Sequence, residues 1–563
     1  MSLDPLIDLP EPHDALGPIP FTPTVPNALA RAVELWGEQT FLLDDDRSLT
    51  FAEADRISAR MAKGLVAMGH GKGARIAIMA PNSIDWMLCF LAISRMGGHV
   101  VAFSSMYQRR EIAWGLRHND IETLIVAARF GSADYQARIE EAAPGVAGQS
   151  SDAPLYLAEA PYLRRVLVFG GEPRGWALSG PGALFAAADA APGITDEVLR
   201  GLEAAVSPAC DMVTICTSGT TADPKAVVTT HGSGLRSIWG FTAHIFLSPG
   251  ERLYCGMPYF WIGGFLRGIL PGLFCGACLV YPKSLSGDDL VDMFVRHRVT
   301  NFYTVAGQRH ALLTTAARRG VDLSFVNYGV EPLRDRRDGS EIPPARRGGG
   351  QLAMTETFGT HSTPALDLPT PEGKANTWGR PMPGVERRIV SLETGEALPP
   401  GETGELQIRS PNMMRGYYKK ERSETFLPDG FFRTGDRCMI DADDFLYFYG
   451  RANDMIKTSG ANVAPAEVEA VLFGGPGVRE AIVLGVPDAM RGEAVAAVVV
   501  PQDGLEIDLA ALREKVRAEL SSYKVPLIMA TMAWDEVPRT DAAGKPKRAV
   551  LREMILAGKL RAV

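Results

Sequence analysis

Residues 217–231 read Thr217-Ser218-Gly219-Thr220-Thr221-Ala222-Asp223-Pro224-Lys225-Ala226-Val227-Val228-Thr229-Thr230-His231. Hydroxyl side chains at 217, 218, 220 and 221 flank Gly219, and Lys225 stands just beyond. The preceding Met-Val-Thr-Ile-Cys at 212–216 reads as a strand, and residues 226–230 read as another. Gly219 lets the backbone turn with its N–H groups toward an anion, while the hydroxyls and the ammonium add donors. That combination suits nucleotide phosphates. It is not a Walker A loop, because the G-x-x-x-x-G-K-[ST] spacing is absent and no helix follows the lysine directly. The alternative for this stretch alone is a polar surface hairpin.

Partners for such a loop follow in order: Met354-Thr355-Glu356-Thr357, then Phe432-Arg433-Thr434-Gly435-Asp436, then Tyr449-Gly450-Arg451-Ala452-Asn453-Asp454. That last run leads into Lys457-Thr458-Ser459-Gly460-Ala461-Asn462, and Pro538-Arg539-Thr540 with Gly544-Lys545 closes the series. The series resembles the adenylate-forming superfamily of acyl- and aryl-CoA ligases, peptide-synthetase adenylation domains and luciferases, from about residue 49 to residue 551.

The chain has 563 residues, too many for one core, so several domains or subdomains are expected. With 46% hydrophobic and 22% charged residues it has the composition of an ordinary globular protein. The longest apolar runs, such as 494–500, fall far short of a bilayer span. The acidic, proline-rich start resembles neither a signal nor a transit peptide, so a cytoplasmic location is expected. A net charge of −8 gives no electrostatic footprint for nucleic acid. The local basic cluster Arg334, Arg336, Arg337, Arg346 and Arg347 reads as a solvated face or as a rim attracting a phosphorylated cosubstrate. Seven scattered cysteines argue against a disulfide framework, and the C-x-x-C at 275–278 sits in what reads as a buried strand.

Helix is expected over 25–37, 50–68 and 83–96, and strand over 74–79 and 99–102. That alternation makes an α/β protein with a parallel sheet flanked by helices. Residues 142–182, rich in Gly, Pro and Ala, read as a poorly regular insertion. From 378 to 449 the texture changes to short strands, at 386–391, 404–409 and 445–449, which fits a small β-barrel. A compact α+β unit follows, with strands at 478–486 and 493–501 and a helix capped by Asp508. We divide the chain into an N-terminal adenylation domain, 1–452, and a C-terminal lid, 453–563.

The resemblance implies chemistry as well as fold. An acyl adenylate forms when a carboxylate attacks the α-phosphate of ATP and pyrophosphate leaves, so two anions must be brought together. The family's use of these positions implies that Thr217, Ser218, Gly219, Thr220, Thr221 and Lys225 hold the β- and γ-phosphates. It implies that Thr355 meets the α-phosphate and that Glu356 ligates Mg²⁺, a hard cation suited to carboxylate. Asp436 and Arg451 match the ribose contacts, and Gly329, Val330, Glu331 and Pro332 match the segment along the adenine. Lys545 matches the lysine that bridges substrate carboxylate and α-phosphate. Three residues separate Thr540 from Gly544 where two are common, so Lys547 stays in reserve. For transfer to a thiol the family swings a mobile small domain about a hinge, here Asn453, and Lys457 and Gly460 would line the thiol's approach. The cosubstrates implied are ATP, with Mg²⁺, and coenzyme A.

Departures concern pocket and loop. Ala222 and Ala226 replace common glycines, Leu352-Ala353 replaces Tyr-Gly, and Trp261 stands for a frequent histidine. Trp261, Gly263, Gly264 and Ala353 are the expected acyl pocket. The reading is an ATP-dependent CoA ligase for an apolar fatty or aryl acid. Its rivals are an acyl-AMP ligase loading an acyl carrier protein, and a nucleotide- or fatty-acid-binding relative that has lost catalysis.

Overall fold

A computed structural model describes residues 18–217, 224–242, 247–326, 340, 350–364, 369–374, 377–451, 455–502, 504–539 and 546–560, with the side chains of 306, 450 and 451 left out. Two sheets enclose one helical layer. The first has eight strands in the order Gly416–Tyr417, Lys225–Thr230, Asp211–Thr217, His99–Ala102, Arg75–Met79, Thr123–Ala127, Arg165–Phe169, Leu178–Ser179. Its pairs from Asp211–Thr217 onward are parallel, and the first two pairs are antiparallel. The second sheet runs Asn301–Tyr303, Arg252–Cys255, Cys278–Val280, Thr40–Leu43, Ser48–Thr50.

Alternation along single strands explains the layering. Ile76 and Ile78 point into a core that also takes Leu42, Leu253 and Leu279 from the second sheet. Ala77 and Met79 point the other way, into a separate core with Ile112, Tyr135 and Ile139. Between the sheets lies Ile84–Arg95, whose residues are all buried except Asp85. It is apolar on every side because both sides are covered. His231, which ends the stretch quoted first, is structural: its Nδ1 accepts from the backbone N–H of Val25. Burial pushes its pKa down to about 3, so the ring is neutral.

Several expectations need correction. Residues 142–182 are not an irregular insertion, since Arg165–Phe169 is a strand of the eight-stranded sheet, paired along its length with Thr123–Ala127. Cys275 ends a helix, Leu270–Cys275, and only Cys278 lies in a strand, with the left-handed Gly276 between them. All seven cysteines are free, and burial pushes the thiols of Cys275 and Cys278 up to about 12, which removes the thiolate that redox or metal chemistry needs. The antiparallel region is a four-stranded sheet, Glu386–Val390, Thr403–Arg409, Phe432–Ile440, Leu446–Arg451. Its last strand bonds through Leu446 to Trp378 and Gly379, beside the three-stranded sheet that contains Leu352–Met354.

The C-terminal part has a sheet of five strands in which Gly492–Pro501 is central, pairing with Val478–Asp488, Ile456–Thr458 and Ile528–Thr531, with a core on each face. Pro465 opens the helix Pro465–Phe473, and Asp508 caps Leu509–Glu519 by accepting from the Ala511 N–H. No helix among the described residues is long and apolar enough to cross a membrane.

A buried ion cluster joins this part to the first. Lys524 Nζ donates to Glu111 Oε1 and to Glu467 Oε1, 2.6 Å each, and Ser521 Oγ donates to both Glu111 oxygens at 2.9 Å. The three charged residues are only 2%, 3% and 3% exposed. Burial pushes the ammonium's pKa down, but Tyr523 and the two carboxylates outweigh it and the net shift is upward. Lys524→Met should therefore leave two carboxylates buried together. We expect a loss of about 3–5 kcal/mol, seen as a lower urea midpoint.

Candidate active site

The phosphate-binding candidates start at a sheet edge. Thr217 and Lys225 are the facing residues at the open end of an antiparallel pair. The next strand outward, Gly416–Tyr417, pairs with Val227 and Val228. This brings Tyr417 beneath Lys225, whose Nζ lies 5.0 Å from the ring centroid. The Tyr417 hydroxyl donates to Glu356 Oε1 at 2.9 Å, and the Glu356 carbonyl accepts from Met414 N at 2.7 Å. Lysine, tyrosine and glutamate thus form one cluster. Among the described residues, neither Lys225 nor Glu356 has an ion-pair partner.

Glu356 sits in a single 3-10 turn, Thr355–Thr357, ended by Phe358 in the left-handed region at φ 48°. The buried Thr357 hydroxyl pins the turn by donating to the carbonyls of Met354 and Gly359. Asp436 is 4% exposed, and its strand register sets it opposite Arg451. The two expected ribose contacts therefore stand across one strand pair.

Thr217 and Thr355 line a cavity of about 400 Å³ together with Trp261, Gly263, Ala353 and Gly460. A second cavity of about 430 Å³ lies alongside, lined by Val305 and Ser459 among others. Trp261, Ala461 and Tyr523 line both. The Trp261 ring meets Tyr523 edge-on, centroids 6.1 Å apart. The tight hairpin Ile456–Thr458 to Ala461–Val463 faces the cavity, with Ser459 at φ 51° and Gly460 at φ 82°. A Cβ at Gly460 would make only an ordinary contact, 3.5 Å from Val305 Cγ1, so glycine is required by the left-handed conformation and not by crowding.

Two expected residues stand elsewhere. Gly264 does not line the cavity; a Cβ there would lie 2.4 Å from the Pro258 carbonyl oxygen, so it is glycine for helix packing. Lys457 lines neither cavity, and its ammonium rests 4.8 Å from the Phe448 ring centroid. Ser218, Gly219, Thr220, Thr221, Gly329, Val330, Glu331, Pro332, Asn453 and Lys545 lie outside the described residues, as does the arginine cluster at 334–347 and the side chain of Arg451. The structure adds Arg267, Tyr303, Gln351, Asn462 and Tyr523 to the cavity wall. Arg267 could have been found as the lone charge in the apolar run 259–281.

The chain matches the AMP-binding enzyme family over residues 29–418 and the AMP-binding enzyme C-terminal domain over 467–545, and it belongs to that family. It is similar to the 3-[(3aS,4S,7aS)-7a-methyl-1,5-dioxo-octahydro-1H-inden-4-yl]propanoyl:CoA ligase of Mycobacterium tuberculosis. The two are 30% identical over 94% of this chain and 99% of the relative. It is 28% identical to the indoleacetate–CoA ligase of Aromatoleum aromaticum, over 91% and 94% of the two chains. Among solved structures, the amide bond synthetase of Marinactinospora thermotolerans matches with a TM-score of 0.70 at 25% identity, covering 94% of this chain and 99% of that one. The o-succinylbenzoate CoA synthetase of Bacillus subtilis shares the fold, with a TM-score of 0.70 at 22% identity over 94% and 98%.

The donor set fits a nucleotide-bound Mg²⁺: one carboxylate held by a neutral donor, beside one lysine, with the remaining ligands left to phosphate oxygens and water. No group of three or more metal-ligating side chains occurs among the described residues, so a fully protein-made metal cage is not formed there. Tyr417→Phe removes the hydrogen bond that orients the carboxylate. It should raise the Mg²⁺ concentration needed for half-maximal ATP turnover by about tenfold or more, read by titrating Mg²⁺ at fixed ATP.

Proposed function

We propose that the protein is an AMP-forming acid–thiol ligase that activates a fatty or aryl acid as its acyl adenylate and passes the acyl group to CoA. The observation that carries this reading is that Thr217 and Thr355, strand and chain neighbours of the Lys225–Tyr417–Glu356 cluster, line one cavity together with Gly460. Membership of the AMP-binding enzyme family and the CoA-ligase names of the relatives support it. The acids named for those relatives are ring-bearing, which favours a bulky acyl group over a short one.

In this reading Thr217, Ser218, Gly219, Thr220, Thr221 and Lys225 hold the leaving phosphates, and Thr355 orients the α-phosphate. Asp436 and Arg451 fix the ribose, and Gly329, Val330, Glu331 and Pro332 line the adenine. Mg²⁺ on Glu356 would offset the charge that repels an incoming carboxylate. Lys545 places its ammonium between that carboxylate and the α-phosphate as charge gathers there. Its place must then be vacated for the thiol, by rotation of residues 453–563 against 1–452 about Asn453. The arrangement seen here, with Gly460 on the cavity wall and Tyr523 against Trp261, suits the thiol-accepting stage. The second cavity then serves as the thiol's passage, bounded by Val305, Ser459 and Tyr523. A cytoplasmic location fits its need for ATP and CoA.

Pyrophosphate release with ATP and Mg²⁺ across a panel of acids, with and without CoA, tests the reading. Acid-dependent release with a CoA thioester as product is expected. Release with transfer only to a carrier protein would select the acyl-AMP ligase, and no release with any acid would select the binding protein. Lys545→Ala should abolish adenylate formation while thioester formation from supplied acyl-AMP survives. Equal loss of both half-reactions would remove the role assigned to Lys545.

A further inference from the structure

The wall of the 400 Å³ cavity is mainly apolar near its acyl end, with Ile262, Gly263 and Leu266, but it includes one guanidinium, that of Arg267. Arg267 is carried by a π-helical turn, Phe265–Ile269, inserted between helical segments. Such turns cost regular hydrogen bonding and recur at functional sites. The guanidinium carbon lies 4.5 Å from the ring centroids of both Phe241 and Tyr303. Nη2 donates to Gln351 Oε1. That bond fixes the Gln351 amide, because the atom facing arginine must be the oxygen, and it leaves Nε2 as a donor. The buried Arg267 Nη1 and Gln351 Nε2 both have no acceptor among the described residues. No carboxylate pairs with Arg267 there either.

A cation and an amide, adjacent on one wall and both short of an acceptor, are a poor lining for a purely hydrocarbon acid. Filling the cavity with alkyl groups alone would leave both donors without an acceptor. An oxygen bearing two lone pairs supplies one, and it can accept from guanidinium and amide together.

We infer that the acid taken by this cavity carries a second acceptor oxygen, a ketone or carboxylate on an otherwise apolar body, received by Arg267 and Gln351. The inference rests on the ligase reading above and adds to it the chemistry of the substrate's far end. The reacting carboxylate lies at Thr355, and the second oxygen lies across the cavity at the Arg267–Gln351 wall. A ketone and a carboxylate share this acceptor chemistry, and the test separates them.

The full-length enzyme is assayed for thioester formation with octanoate, 7-oxooctanoate and octanedioate, and with 3-phenylpropanoate and its 4-acetyl and 4-carboxy derivatives. In at least one series the oxo or dicarboxylic acid should exceed the plain acid in kcat/KM by at least about tenfold. Arg267→Met should bring that ratio to about one, and Gln351→Leu should lower it in the same direction. A plain acid preferred in both series, or an Arg267→Met loss equal for all acids, overturns the inference. Calorimetric binding of the matching acyl-sulfamoyl adenosines gives a readout that does not need turnover. If no acid releases pyrophosphate, the ligase reading falls, while tighter binding of the oxo or carboxy analogue still supports the donor pair. Equal affinities, or no binding of any analogue, overturn it.

Discussion

A ladder of two residue pairs, Val227 opposite Tyr417 and Val228 opposite Gly416, joins the antiparallel region to the eight-stranded sheet. Flanking bonds extend it: Arg415 N donates to the Val228 carbonyl and Tyr418 N to that of Ala226, both at 2.8 Å. Every polar contact in the Lys225–Tyr417–Glu356 cluster depends on that short seam. Lysine arrives on one side of it, tyrosine on the other, and glutamate is reached by the tyrosine hydroxyl. Salt bridges from Arg415 to Asp211 and from Lys419 to Asp120 brace the same seam from the surface. Being exposed on the cation side, they add little energy and mainly set direction.

Much of this was legible before any coordinates. Short, nearly continuous apolar runs marked the strands at 74–79 and 99–102, as expected of strands buried on both faces, and their alternation with helices marked the parallel sheet. The Thr355–Glu356 pair and Asp436 were singled out by motif order and family resemblance. The strand Arg165–Phe169 was hidden by its Gly- and Pro-rich flanks, although its own five residues carry four apolar side chains. The strand Phe432–Ile440 was missed because Arg433, Asp436 and Arg437 break up its apolar residues on either side of Gly435, and what makes it a strand is pairing on both sides.

Spacing was least informative where a residue's direction is set by a turn. Gly264 and Lys457 lie within three residues of the cavity residues Trp261 and Gly460, yet neither lines the cavity: Gly264 packs against the Pro258 backbone and the Lys457 ammonium lies beside the Phe448 ring. Arg267, Gln351 and Tyr523 come from distant parts of the chain, and nothing local in the sequence reports that they meet at one wall. Tertiary packing alone supplies that information.

The Glu111–Lys524–Glu467 cluster also bears on how such a protein can be recombined. Two of its charges travel with the C-terminal part and one stays with the helix Arg109–His118. A C-terminal part transplanted onto another body would bring Lys524 and Glu467 to a surface shaped for a different residue. Without an acidic partner at the position of Glu111, the exchange would bury a less well paired ammonium at the junction. The pairing therefore acts as a compatibility mark between halves, one that chimeras of this architecture must preserve or replace as a unit.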